Sequence, residues 1–352
     1  MTAVRASDTV LPIEAWARDG IATRGQIYAS VGGVPYVDAA WGCDGLGMAI
    51  TPDTPFRVYC AGKPALAVAL CAAEDAGLLR LTDSLGSHLE GLAPALAEFS
   101  LLDVLGHRAG LGGVGAFATA LAPPALRRVL ALTQTPAPGP HPGKYTEFAG
   151  WELLNAVLEV VTGEPVERSV PELLHGRDAW TAPTLDPRAE VAVNVLWRGE
   201  RRFPLLAERY LSEPFEHNAA LGWVASMRTL GRFAEQLLEC AAGSAPSRPG
   251  ANEVKRHVFT GGEPVWDRTL ERWCRLGHGV MLDVADHYFG DEWNAGSFGH
   301  AGFFGVTWFA ADPVSGVVVA VHLVDVVDAN QAVMVRRPRV ARDVTALAGR
   351  DR

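Results

Sequence analysis

Residues 51–85 read TPDTPFRVYCAGKPALAVALCAAEDAGLLRLTDSL. The opening TPDTP is a loop by composition. From about Cys60 to Ala76 apolar residues recur densely, with Leu66, Ala67, Leu70 and Cys71 among them, and Gly77 closes the run. This pattern predicts a buried helix ended by a glycine cap. Cys60 and Lys63 stand at its head, three residues apart and therefore on one face. A helix N-terminus and a neighbouring ammonium both favour a thiolate, so Cys60 is a candidate nucleophile. A desolvated Lys63 can serve as a base. The plain alternative is a buried structural cysteine beside a solvated lysine. Two features weigh against it. The chain has three lysines (Lys63, Lys144 and Lys255) and every other basic side chain is arginine. An ammonium within an apolar helix also costs free energy unless it has a task.

Outward from this stretch, residues 26–41 read as a β-hairpin turning at Gly32-Gly33. Ser100 and Asp103 mark a helix start. Residues 137–143 (APGPHPG) are loop. Trp151 to Thr162 has a helical period, and so does Ser226 to Ala241. Residues 171–220 show no strong period, and 243–252 read as a surface loop. VMLDV, FGVTWFA and GVVVAVHLV in the last third are strand-like, and Val340 to Leu347 is a short amphipathic helix. Strands at both ends with helices between imply one sheet assembled from the two termini. The expected division is a sheet lobe from residues 1–90 and 250–352 and a mostly helical lobe from 91–249, with the active site between them.

The chain has 352 residues, enough for one large two-lobed domain or two domains. Its net charge of −9 argues against a groove that tracks nucleic-acid phosphates. The five cysteines include no CxxC pair, which fits a reducing compartment. The apolar run near Val317–Val327 is broken by His322 and Asp325, so no membrane span is expected. The start, MTAVRASDTV, lacks the pattern of a signal peptide. A cytoplasmic location follows as the expectation. No HExxH, Cys/His cluster or GxxxxGK[ST] loop occurs, so neither a metal nor a cofactor is expected. Trp151, Trp180, Trp197, Trp223 and Trp308 are candidates to line a cleft, though core packing is the commoner use of such residues.

Four segments, in order, carry a resemblance. They are FRVYCAGK, SLLDVLGHRAGL from Ser100, HPGKYTEFAGWELLNAVLEVVTGEP from His141, and FGHAGFFGVTWFAADP from Phe298. The series resembles the serine β-lactamase and penicillin-recognising family, in its class C, DD-peptidase and esterase branch, and covers most of residues 25–325. The resemblance implies an α/β (α+β) fold of the β-lactamase/transpeptidase type, with an antiparallel sheet flanked by helices and an inserted helical lobe. It also implies an acyl-enzyme mechanism. Cys60 matches the nucleophile, which is serine in the family, and Lys63 matches the base. His300, in His300-Ala301-Gly302, matches the third motif, and the resemblance implies that Gly302, Phe303, Phe304 and Glu147 bind substrate. The oxyanion hole would combine the Cys60 N–H with one near Phe303 or Phe304. Tyr145 is the candidate for the second motif's tyrosine, in a loose register. Glu147 then stands where the family has asparagine, either moving protons, pairing with an amine substrate, or simply sitting in a helix's first turn. Lys144 is either a site cation or solvated.

Three readings of Cys60 stand: an active native nucleophile, a replacement of serine that traps a state, and a native but silent residue. A thioester prefers amines over water more than an oxygen ester does. The favoured function is therefore an acyltransferase that moves an acyl group from an ester or thioester to an amine through Cys60, in natural-product (antibiotic) biosynthesis. Its partners would be a small-molecule acyl donor and an amine acceptor. An esterase or amidase of the same family is the alternative, and an inactive ligand-binding relative the second alternative.

Overall fold

The computed structural model describes residues 11–111, 120, 122–136, 145, 148–176, 178–186, 188–198, 201–206, 213–267, 271–302, 305–328 and 330–348. Eight strands form the main sheet: β1 (Gly25–Val31), β2 (Val34–Trp41), β3 (Val265–Asp267), β4 (Arg272–Leu276), β5 (Met281–Leu282), β6 (Phe298–Ala301), β7 (Thr307–Ala311) and β8 (Val317–Leu323). Their spatial order is β2-β1-β8-β7-β6-β5-β4-β3, antiparallel throughout. The first hairpin pairs with the last strand, so the two ends of the chain share one sheet. Gly32 and Gly33 both have positive φ (55° and 79°), the geometry that a tight hairpin turn requires.

Among the described residues the α-helices of five or more residues are α1 (Ile13–Arg18), α2 (Lys63–Asp75), α3 (Leu101–Leu105), α4 (Pro124–Leu132), α5 (Ala149–Thr162), α6 (Val166–Leu174), α7 (Met227–Ala242) and α8 (Arg337–Ala348). Strand alternation buries both faces of the sheet. Ile27, Ala29, Trp308, Val319 and Val321 pack with Trp16 of α1 and Val340 and Val344 of α8. Tyr28, Phe309, Val318 and Ala320 face the larger core shared with α2, α5 and α7. Although α7 lies within the 91–249 range expected for the helical lobe, it packs on β1, β7 and β8. A Cβ at Gly231 would overlap the Tyr28 ring, so glycine is what lets this helix approach the sheet.

Local signals act where the sequence places them. Ser100 accepts from the Asp103 N–H (3.1 Å) while Asp103 accepts from the Ser100 N–H (3.1 Å), a capping box. Ser226 caps α7 by accepting from the Thr229 N–H at 3.2 Å. Some expectations change. The Cys60–Ala76 helix opens with a 3₁₀ turn, Tyr59–Gly62, before α2 begins at Lys63. VMLDV yields only the two-residue β5, because Asp283 turns left-handed (φ 53°). FGVTWFA yields a strand only from Thr307, and the final helix is longer than expected. The 171–220 stretch carries the end of α6 and short strands bonded to distant segments. Thr184–Leu185 and Phe56–Arg57 flank Trp223–Ala225, while Val195–Arg198 pairs with Arg201–Pro204 and with Asp325–Val326. The 137–143 loop lies outside the described residues.

His322 interrupts the apolar β8 for a structural reason. Its Nδ1 accepts from the Thr307 hydroxyl (2.6 Å), its Nε2 faces Asn194 Oδ1 (2.8 Å), and its ring stacks on Phe56 at 3.9 Å. Burial pushes its pKa down to about 3. The unfolded chain therefore binds this proton below about pH 6.5, whereas the folded chain does not until about pH 3. The corresponding stability is fully present above pH 6.5 and declines as pH falls towards 3. Melting temperature should fall between pH 7.5 and pH 5, with a shallower slope in His322→Asn. Equal slopes would show that His322 does not contribute.

Candidate active site

The approach to Cys60 is fixed on two sides. Phe56 and Arg57 pair with Ala225 and Val224, and the Val58 N–H donates to the Trp223 carbonyl at 2.9 Å. Arg57 donates to the Gly222 carbonyl (3.1 Å) and lies over the Phe215 ring. Tyr59 then takes a left-handed conformation (φ 50°), a rare state for a residue with a side chain. The chain enters the 3₁₀ turn that carries Cys60, and the Lys63 N–H closes it onto the Cys60 carbonyl. A Cβ at Gly62 would collide with the Trp223 side chain, so the turn fits beneath that indole only as glycine.

Lys63 follows at the first position of α2 and is wholly buried. Its Nζ donates to the Tyr145 hydroxyl at 3.2 Å. It lies 5.0 Å from the Tyr145 ring centroid, 5.3 Å from Trp151 and 5.8 Å from Phe148. Aromatic faces attract a cation at such distances. Tyr145 has two imidazoles beside it, with ring centroids 4.7 Å (His107) and 6.0 Å (His300) from its own. His300 Nδ1 donates to the Ala301 carbonyl at 3.0 Å, which leaves Nε2 as the ring's acceptor. Burial, and next the Lys63 charge, lower the His300 pKa to about 3. The same two causes hold His107 well below the ordinary histidine range. One cationic side chain is thus surrounded by a phenol and two neutral imidazoles.

β6 carries His300 beside the Cys60 turn. Gly302, expected to bind substrate, donates its N–H to the Thr307 carbonyl at 2.7 Å, so that donor is committed within the sheet. A Cβ at Gly302 would meet the Val58 carbonyl. Its role in the structure is this close approach of β6 to the segment before Cys60. Glu147, Phe303, Phe304 and Lys144 lie outside the described residues. Cys60, Lys63, Tyr145 and His300 therefore occupy one neighbourhood. His107 joins them without having been assigned a role from sequence, although it stood in the quoted LGHRAGL segment. Trp151 proves to be a wall of the lysine site, while Trp223 covers Gly62 and Trp308 packs under the sheet.

Among the described residues one group could hold a metal ion: Glu74, Glu253 and His257. Glu74 is eleven residues along α2 from Lys63, about 16 Å at helical rise. There His257 Nε2 already lies 3.2 Å from Glu74 and 3.5 Å from Glu253.

With sheet, helical core and site in place, the class of protein is defined: the chain belongs to the Beta-lactamase family, whose model matches residues 14–341. By that membership it is an acyl-enzyme hydrolase or acyltransferase. Similar solved structures include "EstCE1, a hydrolase with promiscuous acyltransferase activity" (14% identity, TM-score 0.75, 94% of this chain and 96% of that one). EstA from Arthrobacter nitroguajacolicus Rue61a is 17% identical, with a TM-score of 0.73 and full coverage of both chains. A class C β-lactamase from Rhodobacter sphaeroides is 15% identical, with a TM-score of 0.69, covering 96% of this chain and 97% of its own. These likenesses establish the shared fold. No curated protein matches the chain. No helix among the described residues is long and apolar enough to cross a membrane.

Gly62→Ala should force the Cys60 turn away from Trp223. A stability loss of about 1–3 kcal/mol is expected for such overpacking, together with an altered rate of Cys60 alkylation. A urea midpoint and alkylation rate equal to wild type would show that the turn has room to spare.

Proposed function

We propose that the protein is an acyltransferase that carries its acyl group on Cys60. The observation that carries this reading is Lys63: wholly buried, one helical turn from Cys60, with its Nζ on the Tyr145 phenol. A buried ammonium is costly to maintain, and its placement beside a thiol and a phenol gives it a chemical task. EstCE1, a fold neighbour described as a hydrolase with acyltransferase activity, supports acyl transfer as a capacity of this architecture.

In the proposed cycle the Lys63–Tyr145 pair, in its deprotonated form, takes the proton from the Cys60 thiol. Sγ attacks the carbonyl carbon of an ester or thioester donor. The tetrahedral intermediate collapses as the bond to the leaving oxygen or sulfur breaks, and that atom takes the proton back from the pair. An amine then attacks the Cys60 thioester. The C–S bond breaks, the amine's proton returns through the pair to Sγ, and an amide leaves. The partners are a small-molecule acyl donor and an amine acceptor. A natural-product pathway in the cytoplasm suits both the amide-forming chemistry and a set of cysteines without a CxxC pair. The Cys60 N–H is the oxyanion donor in this reading, with a second from the segment after Gly302.

A hydrolase would use the same residues and release the acyl group to water. The two are separated by intact mass after exposure to a panel of activated esters and thioesters, with and without an added amine. The expected result is an adduct on wild-type protein, none on Cys60→Ala, and discharge much faster with amine than with water. Equal discharge would make the protein a hydrolase. Turnover retained by folded Cys60→Ala would overturn the acyl-enzyme assignment to Cys60, and ligand binding without any adduct would indicate a binding relative.

A further inference from the structure

His107 is an expensive residue in an unexpected place. It follows α3 and Gly106, takes a left-handed φ of 59°, and is 2% exposed. Left-handed backbone favours glycine or asparagine, and a buried imidazole must be desolvated. The fold nevertheless places its ring 4.7 Å from Tyr145 and 6.1 Å from Trp151, two of the aromatic rings around Lys63. The groups whose charge acts on it include Lys63, His300, His278 and Arg108, all cationic or imidazole. It therefore stays neutral.

We propose that His107 is a positioning residue for Tyr145. Its neutral ring holds one face of the Tyr145 ring, opposing drift away from Lys63, so that the phenol oxygen stays on Nζ. His300 completes the enclosure from β6, with its ring centroid 6.0 Å from that of Tyr145. This inference rests on the assignment of Lys63 and Tyr145 to proton transfer. Its first test, however, reads Tyr145 directly and requires no substrate.

The test compares wild-type protein with His107→Asn, which tolerates the left-handed backbone, and with His107→Gly in case the first fails to fold. Near-ultraviolet tyrosinate absorbance is titrated in each protein, and the same titration on a Tyr145→Phe background isolates the Tyr145 signal. An ammonium held beside a phenol favours the phenolate, so releasing Tyr145 should move its titration to higher pH. The second readout is the rate of Cys60 acylation by an activated ester. It should fall about tenfold to hundredfold, the scale of loss for a small misplacement of a reacting group, with KM changed less than about twofold. A folded variant with lowered melting temperature but an unmoved Tyr145 titration would overturn the proposal. If wild-type protein forms no acyl adduct, the function proposed above fails, and the titration still decides the role of His107.

Discussion

The burial of the Lys63 ammonium constrains the whole centre of this molecule. An ion moved from water into a protein interior loses several kcal/mol of solvation unless its surroundings replace it. Three aromatic faces and one phenol oxygen surround Nζ at 3.2–5.8 Å. They come from residues 145, 148 and 151, more than eighty positions along the chain. The start of α5 must therefore be docked against the start of α2 before the lysine can be accommodated. The ion in turn acts on its neighbours, because a second positive charge within the same enclosure would be repelled. That repulsion, added to burial, keeps His107 and His300 neutral. The site is best understood as a single charge with its protein-made solvent.

The rest of the architecture holds the cysteine turn at the edge of that enclosure. Two close approaches do this from opposite sides. Trp223 presses on Gly62, and β6 passes the Val58 carbonyl at Gly302. Each works only because glycine has no side chain. Trp223 is itself anchored by its Nε1 donating to the Ala219 carbonyl (2.6 Å), by its carbonyl accepting from the Val58 N–H (2.9 Å) and by backbone pairing with Leu185. Trp223 thus covers the turn. The sheet supplies the wall, buried on both faces between α7 and the terminal helices.

What could be read from the sequence follows from which interactions are local. The Gly32-Gly33 hairpin, the helix start at Ser100 with Asp103 and the apolar period of α5 are each decided within a few residues, and each was legible. The backbone closeness of Cys60 and Lys63 is local too, since the 3₁₀ turn bonds the Lys63 N–H to the Cys60 carbonyl. His107 was not legible as a site residue, since its importance comes from Tyr145 and Trp151, brought near by tertiary packing. Nor was the closeness of α7 to the sheet, which depends on one glycine facing Tyr28 across more than two hundred positions. Tyr145 was the opposite case. Its register against the family motif was loose, yet the phenol meets Lys63, because a short connection can still deliver one side chain to a fixed point. Short strands such as Met281–Leu282 carry too few residues for a period to show, and their hydrogen bonds decide them.

Under the proposed function, a cysteine nucleophile changes what this enclosure is asked to do. A serine hydroxyl is a poor nucleophile until a base removes its proton, so the lysine must do most of the activation. A thiol ionises several units lower, and the same buried cation would stabilise the resulting thiolate by direct charge attraction. In the proposed cycle the demand on the Lys63–Tyr145 pair would then shift from generating the nucleophile to managing the proton at the second step, when an incoming amine must lose one. A phenol hydrogen-bonded to an ammonium, beside two imidazoles that remain neutral, is suited to that exchange, since the pair can hold or release a proton without creating a second buried charge. This is why retention of Lys63 beside Cys60 weighs in favour of catalysis: a silent pocket would have no reason to keep so costly an ion in its core.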